Sequence, residues 1–104
     1  MEKITEFQKL VYAQAKKIPR GKVSTYADIA KSIGRPKSAR AVGNALHKNP
    51  FAPIVPCHRV VKSDGSLGGF ASGENEKIII LKKEKVEVRN GKIIDFQQKL
   101  CKYE

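Results

Sequence analysis

Proline and glycine cut the first half of this chain into short pieces, leaving no room there for a long helix or a broad sheet. Pro19-Arg20-Gly21 closes the first piece, Gly34 with Arg35-Pro36-Lys37 the second, and Pro50 the third. In the first piece Ile4, Phe7, Leu10, Val11 and Ile18 recur at helical spacing with Ala15 between them. This predicts an amphipathic helix over Ile4–Ile18. Val23 is a short extended link. "STYADIAKSIG" predicts a second helix, capped by Ser24 or Thr25, with Asp28 in its first turn and Gly34 at its end. Ser38 can cap a third helix, "ARAVGNALHKN". Two short helices joined by a brief turn containing glycine form a helix-turn-helix pattern.

After Pro50 the chain reads as extended through Ile54 and Val55, past "PCHR", to Val60-Val61. "SDGSLGG", residues 63–69, is a turn or hairpin tip; after a helix-turn-helix such a hairpin is a wing. "GENEKIIILKKE" predicts a last helix with Ile78, Ile79 and Leu81 partly buried. "VEVRNGKII" alternates around Asn90-Gly91, a hairpin turn signal. The tail beyond it carries no pattern. The expected fold is mainly α, a winged helix-turn-helix-like domain with a short β wing. At 104 residues, 1–104 reads as one domain with one modest core.

Charge narrows the partners. The formal net charge is +11, from 21 Lys plus Arg against 10 Asp plus Glu. Asp28 is the only acid between Glu6 and Asp64, while the acids gather toward the C-terminal end. A basic half of this kind fits a polyanion, most simply nucleic acid. On the third helix Val42, Ala45 and Leu46 share a core-facing side. Arg40, Gly43, Asn44 and His47 fall on another. That second side is small and polar enough to approach a partner closely. Equally, Ala41 and Gly43 could serve tight packing within the fold. No apolar run is long enough to span a membrane, and "MEKITEFQKL" lacks the apolar core of a signal peptide, so an intracellular protein with reduced thiols is expected.

"PCHRV", residues 56–60, raises the chemistry. A thiolate is a strong nucleophile and a thiol is not, so Cys57 needs a base or a cation nearby. His58 is adjacent, but neighbouring side chains on an extended chain point apart, and contact requires a turn or a bridging water. A third group must orient the imidazole, and Glu84 is a candidate. Two cysteines and two histidines do not fall into zinc-finger spacing, so no metal is expected. Composition and spacing leave Cys57 open between a structural thiol and a nucleophile.

The run "IPRGKVSTYADIA", "RAVGNAL", "NP", "PCHRV" and "GGFASG" followed by Lys77, Leu81 and Glu84 resembles the DNA-binding catalytic domain of the O6-alkylguanine-DNA alkyltransferases, also called methylated-DNA–protein-cysteine methyltransferases. The resemblance covers about Phe7 to Glu84, with the motifs in the family's order. It implies DNA repair by one-time transfer of an alkyl group from O6 of guanine to Cys57, after the base is flipped out of the duplex. It implies that His58 deprotonates Cys57 through a water, that Glu84 orients His58, and that Asn49 braces the turn carrying the cysteine. Tyr26 matches the tyrosine that hydrogen-bonds the guanine as it departs. Arg40 matches the arginine that fills the space of the extruded nucleotide. The helix bearing it is the one that enters the minor groove, and its small residues Ala41 and Gly43 suit a close fit. Asn44, Thr25 and Lys37 complete the expected DNA-binding set. Val60, Phe70, Ala71, Ser72 and Lys77 map to the substrate pocket.

The resemblance also implies a monomer acting on double-stranded DNA that contains O6-alkylguanine. It needs no cofactor and no membrane. It is expected in the cytoplasm, associated with the nucleoid, or in the nucleus of a eukaryote. The family often carries a larger N-terminal domain, which is expected to be absent. Ser72-Gly73 stands for the family's Gly-Gly, Glu74 for a common apolar residue, and Phe70 for a frequent tyrosine, all of which bear on pocket shape. Two rival readings remain. Alkyltransferase-like proteins bind the same lesion without repairing it and carry another residue, typically tryptophan, in place of the cysteine. A winged-helix regulator would read undamaged sequence and accept no alkyl group.

Overall fold

The computed structural model describes residues 4–51, 54–67 and 74–101. Helix α1 (Glu6–Ala15) begins in a capping box. The Thr5 hydroxyl accepts from the Gln8 N–H, and the Gln8 side chain accepts from the Thr5 N–H. The helix stops short of Ile18 because Lys17 and Ile18 bond three residues back, to Gln14 and Ala15, in tight turns. Ile18 is still buried. Leu10 is not: it is 42% exposed, and Tyr12 holds the inward position instead. The Tyr12 ring is buried and its hydroxyl donates to the Ala45 carbonyl at 2.8 Å, so an aromatic body and a polar tip are both satisfied.

Strand β1 (Ser24–Thr25) leads straight into helix α2 (Tyr26–Ser32), and α3 (Ala39–His47) follows after a short connection. Thr25 caps α2 by accepting from the Asp28 N–H at 3.0 Å. Ser38 stands at the N-cap of α3 but its side chain makes no capping bond. Val42, Ala45 and Leu46 of α3 are buried, as the helical spacing predicts. They pack with Val11, Ile29 and Val60 in one apolar cluster.

The remaining elements follow in chain order. A 3-10 turn (Cys57–Arg59) runs into β2 (Val60–Val61). Helix α4 (Glu74–Lys83), strands β3 (Val88–Arg89) and β4 (Lys92–Ile93), and helix α5 (Phe96–Lys99) complete the chain. β2 pairs with β1 in parallel, Ser24 opposite Val60 and Thr25 opposite Val61. Successive strand residues face opposite ways, so Val60 joins the first cluster while Val61 joins a second. That second cluster holds Val23, Leu67, Leu81, Val86 and Ile93. The expected single core is thus two clusters on either side of a two-stranded seam.

The domain is mainly helical with short β elements, as expected. The tip within 63–69 closes by bonds from the Gly65 N–H to the Lys62 carbonyl and from the Lys62 N–H to the Ser66 carbonyl. Ser66 then bridges to Lys92, tying this turn to the β3–β4 hairpin. The hairpin turns at Asn90 and Gly91, both at positive φ, as a two-residue primed turn requires. The tail holds more structure than its sequence suggests. The Val23 N–H donates to the Lys99 carbonyl at 2.8 Å and the Cys101 N–H to the Val23 carbonyl at 2.7 Å. Leu100 and Phe96 pack on the second cluster. Helix α4 is therefore not the last, and only part of its predicted apolar face turns inward: Leu81 is fully buried, Ile79 is 52% exposed. Among the described residues no helix is long and apolar enough to cross a membrane.

Candidate active site and nucleic-acid interface

Cys57 opens the 3-10 turn, held by its own N–H donating to the Val55 carbonyl at 2.9 Å. Asn49 braces the approach to it. The Asn49 amide donates to the Val55 carbonyl at 2.8 Å, and its oxygen accepts from the Phe51 N–H at 2.9 Å. A Pro-rich segment that lacks backbone donors is thereby fixed through a side chain. Because the chain turns rather than extends at 57–59, neighbouring side chains no longer alternate from face to face. The sequence-based objection to a paired Cys57 and His58 falls away.

His58 is buried, and its Nε2 lies 3.0 Å from Glu84 Oε1. Glu84 follows α4 directly and also takes both prongs of Arg59, Nε to Oε1 at 2.9 Å and NH2 to Oε2 at 2.6 Å. The third Arg59 contact, NH1 to the Ile18 carbonyl at 2.9 Å, pins the guanidinium to the end of the first helical region. Burial alone would raise the Glu84 carboxyl, but the hydrogen bonds from Arg59 and His58 outweigh it and hold its pKa below the ordinary value. An ionised carboxylate only accepts, so His58 Nε2 carries the proton and the free base position is Nδ1. Burial lowers the His58 pKa below 6.5, against the opposing pull of Glu84, and the charges on Arg59 and Lys77 lower it further. His58 is therefore neutral at neutral pH and able to accept a proton. Sequence reasoning missed Arg59. No local pattern in the sequence pairs it with Glu84, which lies 25 residues further on.

Tyr26 links this chemistry to the surface. Burial, and secondarily the negative charge that Cys57 can carry, push its phenol up to about 12. It stays protonated and can donate. Its ring lies 3.8 Å from where a side-chain carbon at Gly43 would stand. Lys77 is fully buried, donates to the Val60 carbonyl at 2.7 Å, and sits 6.0 Å from the Tyr26 ring centroid. Val60 is buried as well.

An open groove of about 440 Å³ runs along the outer side of α3, lined by Tyr26, Arg40, Gly43, Asn44 and His47, with Ala39 and Lys62. Arg40 is exposed. The 3.8 Å separation at Gly43 is an ordinary van der Waals distance, so packing within the fold does not require glycine there. Ala41 is exposed, so packing does not require a small residue at that position either. Both residues keep the outer side of the helix low.

Not every expected residue joins the groove. Ala41 faces a smaller one of about 160 Å³ beside α1, shared with Asn44 and Lys48. Lys37 is exposed on the α2–α3 connection and outside the lining. Thr25 is 4% exposed and committed to capping α2, so it shapes the groove only through the helix that carries Tyr26. Phe70, Ala71 and Ser72 lie outside the described residues. Among the described residues, no three His, Cys, Asp or Glu side chains come together to hold a metal.

Comparison with known proteins agrees with this geometry. Residues 6–86 match the family described as 6-O-methylguanine DNA methyltransferase, DNA binding domain. A methylated-DNA–protein-cysteine methyltransferase of Methanosarcina acetivorans is 55% identical over 80 residues, covering 77% of this chain and 51% of its own length. That of Mycobacterium leprae is 46% identical over 84 residues, covering 81% and 51%. The chain thus spans about half the length of these curated relatives. The crystal structure of Mycobacterium tuberculosis OGT in complex with DNA superposes with a TM-score of 0.76 at 47% identity, over 78% of this chain and 49% of that one. S. pombe Atl1, in complex with damaged DNA containing O6-carboxymethylguanine, gives a TM-score of 0.86 at 33% identity, over 98% and 100%. With its motif cysteine, its histidine–glutamate pair and its small-residue helix in place, the chain belongs to the 6-O-methylguanine DNA methyltransferase family, matched through the DNA-binding domain.

Proposed function

We propose that this protein repairs O6-alkylguanine in double-stranded DNA by a single transfer of the alkyl group to Cys57. The observation that carries the reading is the buried His58–Glu84–Arg59 network placed behind a cysteine whose neighbour is a protonated tyrosine. His58 Nδ1 takes the thiol proton through a water. The thiolate attacks the alkyl carbon, an S–C bond forms, and the C–O6 bond breaks. The electron pair leaves on the guanine, where the Tyr26 hydroxyl meets the developing charge. The thioether does not turn over, so each molecule acts once, and one transfer needs no cofactor. Asn49 holds the turn so that the sulfur does not drift from the base.

The target oxygen lies inside a duplex, and extruding the nucleotide costs a few kcal/mol. In this reading α3 lies in the minor groove, where Ala41 and Gly43 permit close approach and Arg40 fills the vacated stack. Phosphate contacts from the basic half offset the rest of the cost. Val60 and Lys77 form the floor of the pocket. The protein acts as a monomer.

A second reading, a module that binds the lesion without repairing it, is favoured by the end-to-end match to S. pombe Atl1. Mass spectrometry decides between them. The protein is incubated with a duplex carrying one O6-methylguanine, beside an undamaged duplex and Cys57→Ser. A gain of one methyl group confined to the peptide holding Cys57 is expected. Binding of the damaged duplex with no added mass, while Cys57 is reduced, would establish the module instead. Arg40→Ala is expected to slow transfer from duplex DNA far more than from a free O6-alkylguanine base; equal loss on both removes Arg40 from the base stack.

A further inference from the structure

A second cationic surface stands apart from the groove. The α1–β1 connection carries Lys16, Lys17, Arg20 and Lys22 and meets, through Arg20 and Gly21, the end of α4, where Lys83 and Lys85 flank Glu84. Two hydrogen bonds build these segments into one ledge. Arg20 NH2 donates to the Lys83 carbonyl at 3.0 Å, and Lys22 Nζ donates to the Gln98 carbonyl at 2.8 Å. A side-chain carbon at Gly21 would lie 3.5 Å from the Glu84 carbonyl, so the connection rests directly on the end of α4. The one acid in its midst, Glu84, faces inward and is consumed by Arg59 and His58. Among the described residues, none of the six cations has a carboxylate within ion-pair distance.

Lysines at helix C-termini complement the helix dipole, and two helices, α1 and α4, end here. Each end carries about half a negative charge, so the two together offset only about one of six cations. The remaining excess is self-repulsive without an anionic partner. None of the six lines the groove. Tyr26 in the groove and Glu84 beneath the ledge are joined through Cys57 and His58, so the two cationic surfaces are distinct and are linked by the reactive network.

We propose that this ledge is a second phosphate-backbone site, which holds a second duplex segment while the α3 groove engages the first. The inference rests on the proposed reading of the groove as a duplex site, and the test separates the two. Two short undamaged duplexes, one carrying a fluorescent donor and one an acceptor, are mixed with the full chain at about 0.15 M ionic strength, where exposed charges act only over about 8 Å. Energy transfer between the duplexes reports bridging, and anisotropy of either duplex alone reports single-duplex binding. Lys16→Gln/Lys17→Gln/Lys83→Gln removes three ledge cations and leaves the two structural donors, Arg20 and Lys22, intact. Lys31→Gln/Arg89→Gln/Lys92→Gln removes the same charge from exposed positions elsewhere.

Wild type and the control triple are expected to bridge, and the ledge triple to bridge at least tenfold less while its single-duplex affinity stays within threefold of the control. Absence of bridging by wild type that binds one duplex overturns the ledge and leaves the groove reading untouched. Equal bridging by the two triples overturns it too. Capture of anionic lipid vesicles through the same three lysines, without bridging, assigns the ledge to a membrane surface and overturns the duplex site. If Arg40→Ala costs no duplex affinity, the groove reading fails instead, and the ledge stands on the loss seen in its own triple.

Discussion

The two apolar clusters on either side of the Ser24–Val60 seam do different work. The first, between α1, α2 and α3, is built from neighbours in sequence and presents the groove. The second gathers Val23, Val61, Leu67, Leu81, Val86 and Ile93 from across the chain and holds Glu84 in place at the end of α4. The groove and the carboxylate that orients His58 therefore rest on separate foundations. Among the described residues they meet at the turn carrying Cys57, His58 and Arg59, and where Lys77 of α4 reaches Tyr26 and the Val60 carbonyl. In a domain this small, the reactive turn stands where the two parts are stapled together, by parallel strands two residues long, by Arg59 reaching from Glu84 to Ile18, and by Lys77 on the Val60 carbonyl.

The largest expected effect breaks that staple chemically. Glu84→Gln keeps the shape but removes the charge that fixes His58 as a donor through Nε2. Alkyl transfer is expected to slow by about 10²- to 10⁴-fold, the contribution of the general base that Glu84 orients. Duplex affinity should hardly change, because the groove belongs to the other half. A parallel loss of binding would mean the halves are not separable. Stopped-flow transfer and equilibrium binding on the same preparation check both.

Next come the foundations themselves. Leu81→Ala and Ile29→Ala each empty a fully buried site, one in each cluster, at about 2–5 kcal/mol. Amide exchange should then divide them. Leu81→Ala is expected to loosen β3, β4 and α5 more than α3, and Ile29→Ala the reverse. Uniform loss of protection in both variants would show one cooperative unit. Acid sharpens the same contrast. His58 has a folded pKa below 6.5, so the unfolded chain binds more protons and stability falls as pH drops from 6.5 toward that lowered value. Glu84 is also lowered, so its contribution, present above 4.5, is lost as pH falls further. Thermal midpoints measured from pH 8 to 4 should decline through both windows, and Glu84→Gln should flatten the lower one.

The same division explains what could be read from the sequence. The first half announces itself locally: Thr25 caps, Gly34 stops, and Val42, Ala45 and Leu46 keep helical spacing, so three helices and the outer side of α3 are legible in the sequence. The second half depends on partners far along the chain. Nothing near Leu100 signals that its backbone pairs with Val23, since the pairing is set by the buried backbone just before β1, far earlier in the chain. Arg59 was hidden for a related reason. Its sequence neighbours explain nothing about it, whereas Glu84 and Ile18 explain it fully. Leu10 failed because periodicity counts apolar residues without asking which one has a polar tip to satisfy; Tyr12, with a carbonyl in reach, took its place.

The smallest effect carries the most direct test of what α3 is for. Gly43 has no close neighbour that excludes a side chain, and its φ lies outside the left-handed region that favours glycine. Gly43→Ala in a helix interior should therefore stabilise the fold by about 0.5–1 kcal/mol, through the entropy the unfolded chain no longer gains. The added methyl group would stand in the groove beside Tyr26, where a partner has to approach. Duplex affinity is expected to fall several-fold as the thermal midpoint rises. Opposite signs in one variant separate a residue kept small for its partner from one kept small for the fold. If the midpoint falls instead, Gly43 is a packing residue, and the contrast between a helix built for its core and a surface built for DNA loses its sharpest case.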